Sequence, residues 1–254
     1  MPAAFAPLLA EPSRSGIFTD FDGTLAPIVD DPAAARPLDG ARAVLEALAA
    51  PMGRVAVISG RPARYLLGHL GGAGLSLWGL YGMEHAEDDR IVPVPEAEQW
   101  RAAVADTVGR ARHDLGDRVN VEDKGITLTL HFRTAPEHAA VTEEWARRTA
   151  DETGLVVHPA RMSYELRPPM PHGKGAVLER LARDLGAACF FGDDHGDLDA
   201  FDALDRLAAA GAATVRVGVH TEESPDELIA RADVTVEGPE GVLRILSALR
   251  DGVA

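Results

Sequence analysis

The sequence predicts an α/β protein: a doubly wound core on a parallel sheet, interrupted by a smaller inserted α+β lid. Three observations carry this. Short apolar runs alternate with amphipathic stretches towards both ends of the chain, and strands too uniformly apolar to face water imply a parallel sheet covered on both faces. The middle of the chain breaks that alternation with period-two segments of the antiparallel kind. Polar clusters close the apolar runs, at the strand ends where open α/β sheets hold ligands. The expected division is a core of residues 1–83 and 171–254 with a lid of 84–170.

The elements follow in order. GIFTDF reads as a short buried strand and ARAVLEALAA as a helix with apolar residues at helical spacing. VAVIS, residues 55–59, is a strand, and PARYLLGHL starts a helix with Pro62 suited to its first turn. LSLWGLYG is the next strand. The insert opens with IVPV and a long helix from Glu96 to about Leu115, then RVNVEDKGITLTLHF as paired strands, a helix around EHAAVTEEWARR, and strands at LVVHP and RMSYELRP. The core resumes with the helix KGAVLERLARDLG, closed by Gly186, and the strand ACFFGDD. Helix DLDAFDALDRLAAAG, strand TVRVGV, helix PDELIARA, strand VTVEG and helix GVLRILSALR complete it.

A chain of 254 residues suits one large domain or a core with a companion. A formal net charge of −15 argues against a nucleic-acid partner or an anionic membrane surface, but leaves room for one anionic ligand in a local pocket. The single cysteine, Cys189, lies in the apolar run AACFF and reads as a buried strand residue, so no disulfide forms within the chain. The first fifteen residues lack a basic leader and a long apolar core, and no run is long enough to span a membrane. The expected location is the cytoplasm.

The stretch FTDFDGTLAP places Asp20 and Asp22 on either side of Phe21 at a strand end. Alternation turns both carboxylates the same way, and side by side they repel unless a cation or proton lies between them. The sheet edge also gathers Ser59-Gly60-Arg61, Gly173-Lys174-Gly175 and the run from Gly192 through Asp193, Asp194, His195 and Gly196 to Asp197. Asp20, Asp22 and Asp193, with Asp194 or Asp197, form an oxygen-rich cluster of the kind Mg²⁺ prefers. Lys174 and Ser59 add a cation and a hydroxyl that suit a phosphate. A lysine at a helix start opposes the helix dipole, which favours an anion beside it. Arg61 is a candidate either for phosphate contact or for an ion pair.

These residue types point to phosphoryl transfer. Ionised Asp20 needs no base to attack, but a phosphate dianion at about 3.5 Å repels it by on the order of 9 kcal/mol at an effective dielectric of about 20. A bridging Mg²⁺ removes most of that repulsion. Asp20 then forms an aspartyl-phosphate, while Asp22 protonates the leaving oxygen and later deprotonates the attacking water. The histidines show no zinc pattern; His172 and His195 flank the site as candidate outer groups.

The order DFDGTL, ISGR, HGKG, GDDHGD resembles the four motifs of the haloacid-dehalogenase (HAD) superfamily of phosphotransferases. That resemblance implies a Rossmann-like HAD core with Asp20 as nucleophile, Asp22 as acid/base, and Ser59, Gly60 and Lys174 around the phosphate. It also implies Mg²⁺ on Asp20, the carbonyl of Asp22 and Asp193, with Asp194 or Asp197 in the outer shell. More narrowly, FDGTLAPIVDDPAAARP, VISGRP, VEDKGITLTLHFR, YELRPPMPHGKGAVLERL and FFGDDHGDLDAF are similar to the trehalose-phosphate phosphatase family, from about residue 17 to 202. Its sugar-contacting residues correspond to Glu122, Lys124, His131, Arg133 and Glu165, with Glu84 and His85 at a junction. The last motif departs from the family's Thr-Asp-Glu-Asp continuation, reading Gly196-Asp197-Leu198-Asp199, and YGMEH is a loose match. The implied substrate is a small sugar phosphate, trehalose 6-phosphate, with a trehalose-like pseudo-disaccharide phosphate as the alternative. A mutase of the same fold and a non-catalytic sugar-phosphate sensor are the competing readings; intact Asp20 and Asp22 argue against the sensor.

Overall fold

The computed structural model describes residues 2–29, 34–72, 74–87, 89–160, 162–171, 173–221 and 224–253. His172 and the middle of the DFDGTL-to-ARP segment therefore lie outside the described residues. The chain divides into two compact units, residues 1–92 with 172–254, and residues 93–171.

The first unit begins with α1 (Ala6–Ala10), β1 (Ser15–Thr19), α2 (Ala41–Ala49), β2 (Arg54–Ile58), α3 (Ala63–Leu70), β3 (Ser76–Gly79), β4 (Glu84–Glu87) and β5 (Arg90–Pro93). The second unit contains α4 (Pro95–Glu98), α5 (Arg101–Leu115), β6 (Asn120–Asp123), β7 (Leu128–His131), α6 (Ala139–Thr153), β8 (Val156–Ala160) and β9 (Ser163–Arg167). The chain then returns to the first unit through α7 (Lys174–Ala182), β10 (Ala187–Gly192), α8 (Leu198–Ala209), β11 (Ala213–His220), α9 (Asp226–Arg231), β12 (Val234–Glu237) and α10 (Gly238–Val253).

The eight strands of the first unit lie in the order β12-β11-β10-β1-β2-β3-β4-β5. From β12 to β3 every pairing is parallel, and β4 turns back antiparallel on β3. Strands β1 and β10 are buried along their whole length, as their unbroken apolar runs require at the centre of a sheet covered on both faces. Chain order runs outward from β1 to one side and from β10 to the other. The β1/β10 boundary is therefore the switch point at which such sheets open a crevice. Phe191, fully buried on β10, stacks on Phe5 at 6.3 Å, so the N-terminal segment joins the core that Ile17, Leu45, Leu48 and Val217 also build. Cys189 is buried in β10, and burial pushes its thiol well up.

The second unit has a four-stranded antiparallel sheet in the order β6-β7-β9-β8. Leu128, Leu130 and Leu166 pack with Val104, Val108 and Ala111 of α5 and Trp145 of α6. The period-two alternation of ITLTLHF does this: alternate side chains share a face. Trp145 and Trp78 are both buried packing residues, and the Trp145 indole donates to Asp114 at 2.9 Å.

Three details differ from the sequence expectation. The first strand stops at Thr19, so Asp20 and Asp22 lie beyond the pleat that would alternate their side chains. Residues 84–92, expected in the lid, fall within the first unit, because β4 pairs with β3 through Trp78↔His85 and Gly79↔Glu84. The helix expected from Glu96 is two helices; Trp100 closes a tighter turn onto the Ala97 carbonyl before α5 begins. Among the described residues, no helix is long and apolar enough to cross a membrane.

Replacing Phe191 by alanine deletes a ring at the sheet centre and frees Phe5. Loss of about 3–5 kcal/mol of stability is expected, read as a lowered urea midpoint at unchanged slope.

Candidate active site

The switch point positions the first group of side chains. The Asp20 amide donates to the Phe191 carbonyl at 2.9 Å, carrying the β1–β10 pairing one residue past the strand and leaving the carboxylate buried at its end. The chain then turns at Gly23 (φ +75°), whose amide donates to Ala26 O at 2.7 Å. A Cβ at Gly23 would collide with the Asp193 carboxylate, so glycine is needed there both for its conformation and for the close approach. Thr24 Oγ1 donates to Asp193 Oδ1 at 3.1 Å. Asp193 and Asp194 follow β10, and both their amides donate to Asp197 Oδ2, at 2.9 and 3.1 Å.

Lys174, the first residue of α7, reaches into this group. Its Nζ lies 2.6 Å from Asp197 Oδ1 and 2.8 Å from Asp20 Oδ1. Asp194 stands further off at 3.9 Å, with its side chain 59% exposed. Asp199, at the start of α8, accepts the Gly175 amide at 2.8 Å and so satisfies an N-terminal donor of α7. That is a capping role for Asp199.

Burial dominates the electrostatics. It raises the Asp20 carboxyl well above the usual carboxylate range; Asp197, Asp194 and Asp193 add to this, and Lys174 opposes it. Burial, reinforced by Asp197 and Asp194, pushes Asp193 up to about 8, and burial pushes Asp197 up to about 6. Partial desolvation beside the buried cluster would raise Asp194, but Lys174 and hydrogen bonds from Asp197 and Gly196 outweigh it and hold it below the ordinary value. Burial disfavours charge on Lys174, and Asp197, Asp20 and Asp194 outweigh it, holding the ammonium firmly charged.

The loop after β2 supplies the second group. Ser59 is buried, and its Oγ accepts the Arg61 amide at 3.2 Å. The Arg61 guanidinium grips Asp22 through both carboxylate oxygens, each at 2.7 Å, and lies 4.8 Å over the Tyr65 ring. The ion pair is thus present in the chain without substrate. Glu84, expected near substrate, is buried, and its carboxylate accepts the Ala63 amide at 2.6 Å, capping α3. His85 stacks on Trp78 at 4.6 Å, and burial holds its imidazole below the ordinary range.

In the second unit the polar face of the sheet gathers four of the five remaining candidates. Glu122↔Thr129 and Thr129↔Glu165 are register partners, so both glutamates stand in one row. Lys124 Nζ lies 3.3 Å from Glu165 and 4.0 Å from Glu122, and His131 Nε2 is 2.8 Å from Glu122. Thr127 and Arg167, not singled out in the sequence, donate to Glu165 at 3.0 and 2.6 Å. Burial would raise the Glu165 carboxyl, but Lys124 and Arg167 outweigh it and hold it below the ordinary value. Arg133 is exposed on the turn after β7.

The donors fit a hard divalent cation. Asp20, Asp193 and Asp197 each offer an oxygen, all within 4.8 Å of one another and all buried. The space left by Gly23 lets the Asp193 carboxylate sit there, and protons held on crowded carboxylates are what a cation would displace. Asp197 is committed to Lys174 and two amides, which leaves Asp20 and Asp193 better disposed to face an ion directly.

The fold, with its buried aspartates at the switch point, is that of the HAD-like hydrolases. A solved haloacid dehalogenase-like hydrolase from Bacteroides thetaiotaomicron shares it at TM-score 0.63 and 15% identity, over 92% of this chain and 99% of that one. Within that class, the chain belongs to the trehalose-phosphatase family, whose profile matches residues 18–234. It is 37% identical over 206 residues to the trehalose-phosphate phosphatase of Mycolicibacterium paratuberculosis, covering 74% of this chain and 51% of that protein. Aspergillus fumigatus trehalose-6-phosphate phosphatase shares the fold at TM-score 0.64 and 27% identity, over 97% of each chain. The chain spans about half the length of the first curated relatives it matches.

The raised carboxyls set a pH dependence. Between the ordinary carboxyl value of 3.8 and about 8, Asp193 in the metal-free folded chain holds a proton that the unfolded chain has released, so its contribution to stability falls as pH rises through that window. In chelator, the melting temperature should therefore decline over that range. Added Mg²⁺ should raise it more near pH 8 than near pH 6. Scanning fluorimetry at both pH values checks this, and equal shifts would contradict it.

Proposed function

We propose that the chain is a Mg²⁺-dependent phosphatase that hydrolyses a disaccharide phosphate, trehalose 6-phosphate, through an aspartyl-phosphate on Asp20. The observation that carries this is the buried Asp20 carboxylate 2.8 Å from the ammonium of Lys174, in a chain of the trehalose-phosphatase family. The relatives' names supply the sugar. Residues 93–171 are proposed to act as the lid, and the cytoplasm is the proposed location.

Lys174 and the Ser59 hydroxyl bind the phosphate oxygens, with the Gly60 amide beside them. An Asp20 oxygen attacks phosphorus in line; the bond from phosphorus to the sugar oxygen breaks, and that oxygen takes a proton from Asp22. In the second half Asp22 takes a proton from water as the water oxygen attacks phosphorus. The bond from phosphorus to Asp20 breaks, releasing phosphate and restoring both aspartates. Arg61 orients Asp22 in its ionised form, the form that takes the proton from water. Asp20, the Asp22 carbonyl and Asp193 would hold the Mg²⁺, with Asp197 behind them. When bound, the ion supplies positive charge against the repulsion between Asp20 and phosphate.

Sugar recognition falls to the second unit. The Glu122 and Glu165 carboxylates accept hydroxyl donors, and Lys124 donates. Their mutual contacts hold them in place before substrate arrives, which lowers the cost of ordering them.

Phosphate release across a panel of sugar phosphates tests the reading, with trehalose 6-phosphate expected to lead. Asp20→Asn should lower kcat by about 1000-fold, or about 4 kcal/mol, with circular dichroism unchanged; retained magnesium-dependent turnover would remove Asp20 as nucleophile. Glu122→Ala should lower kcat/KM for trehalose 6-phosphate by about 10–100-fold, or about 1.4–2.7 kcal/mol, through loss of a carboxylate that accepts sugar hydroxyls. Turnover of p-nitrophenyl phosphate should stay close to wild type, and parallel losses on both substrates would make Glu122 structural.

A further inference from the structure

The exit of β3 is strained. Leu80 and Tyr81 are consecutive non-glycine residues at positive φ, +50° and +57°. For side chains of this size that backbone is strained, and it persists only where the surroundings over-determine it.

The surroundings here are the loop between β2 and α3. Ser59 N–H donates to Trp78 O at 3.0 Å, Tyr81 N–H to Ser59 O at 2.9 Å, and Leu80 N–H to Arg61 O at 3.0 Å. One turn further on, Glu84 caps α3 through the Ala63 amide. The segment 78–84 thus holds the loop 59–63 along its whole length. The Tyr81 ring completes the hold: a Cβ on Gly60 would lie 2.6 Å from its Cζ and Oη. Gly60 takes no positive φ, so the ring, and not backbone conformation, is what demands glycine there.

We infer that Tyr81 is a positioning residue for the phosphate-binding loop: its ring, driven onto Gly60 by the left-handed backbone of Leu80–Tyr81, fixes Ser59 and the Gly60 amide where a substrate phosphate meets them. This rests on the reading of Ser59 and Gly60 as phosphate-binding groups. Tyr81 itself touches no reacting atom. The strain is offset by the interlock, and the return is a loop that does not have to be ordered when phosphate binds.

The test is a double-mutant cycle on Gly60 and Tyr81, read by the inhibition constant of inorganic phosphate against p-nitrophenyl phosphate hydrolysis in the full chain with Mg²⁺. Melting temperatures are measured alongside. Tyr81→Gly suits the positive φ, so it should fold, and its melting temperature should fall little while the phosphate inhibition constant rises about tenfold, equivalent to about 1.4 kcal/mol. Tyr81→Asn tolerates the same backbone and should behave likewise. Tyr81→Phe keeps the ring and should retain wild-type inhibition. Gly60→Ala should weaken phosphate binding in the wild-type background but add nothing to Tyr81→Gly, because the ring it strikes is gone. Inhibition constants within twofold of wild type in Tyr81→Gly and Tyr81→Asn, or additive losses from Gly60→Ala and Tyr81→Gly, would overturn the assignment. A wild-type chain that neither hydrolyses p-nitrophenyl phosphate nor binds phosphate would instead overturn the phosphatase reading, from which the variant comparison is separate.

Discussion

Everything at the switch point depends on one buried ammonium. Lys174 lies between Asp20 and Asp197, both within 2.8 Å and both out of water. Charges in such a place are tolerated only when paired and hydrogen-bonded. Each neighbour meets part of that demand. Asp197 spends one oxygen on the ammonium and the other on two amides of the Asp193–Asp194 turn, and Asp199 pins the start of α7 so that Lys174 points inward. One cation among three buried carboxylates leaves an excess of negative charge. Raised carboxyl pKa values are how the metal-free protein relieves it, and a divalent ion is the more complete remedy.

The remainder of this sheet edge is held by contacts between neighbouring loops. The β3–β4 connection supplies the Leu80–Tyr81 backbone and the Glu84 carboxylate, and both act on the loop after β2. Arg61 leaves that loop to grip Asp22 with two parallel hydrogen bonds, a geometry that fixes direction as well as distance. The loop consequently has its backbone and its Gly60 face set by neighbours on the sheet edge. Rigidity of this kind is what binding a dianion with hydroxyl and amide donors requires, since misdirected dipoles contribute little.

The second unit shows the same rule at a different depth. One face of its sheet is packed by leucines against two helices, and the other carries charged residues whose heads pair across strands. Glu165 is buried, with Lys124 and Thr127 on one carboxylate oxygen and Arg167 on the other. Pairing of this sort restrains the side chains that take part in it. A polar face restrained before a ligand arrives is suited to hydroxyl-rich ligands, where discrimination comes from leaving wrong groups unmatched.

The sequence by itself determined the alternation of elements, the antiparallel insert, the buried β1 and β10, and the gathering of Asp20, Asp193 and Lys174 at one sheet edge. These follow from local periodicity and from motifs whose members stand a few residues apart, and hydrophobic burial makes such patterns readable. The pairing of Glu122 and Glu165 in one row was legible only as two strands. Tertiary structure decided the rest. It turned Arg61 onto Asp22 and Glu84 onto the start of α3, committed Asp197 in place of exposed Asp194, made Asp199 a helix cap, and drew residues 84–92 into the first unit through β3. In each case the choice was between partners of similar chemistry far apart in the chain. Which carboxylate meets which donor is set by strand register and by the few ångströms over which a hydrogen bond acts, and neither is written in the spacing of residues along the sequence.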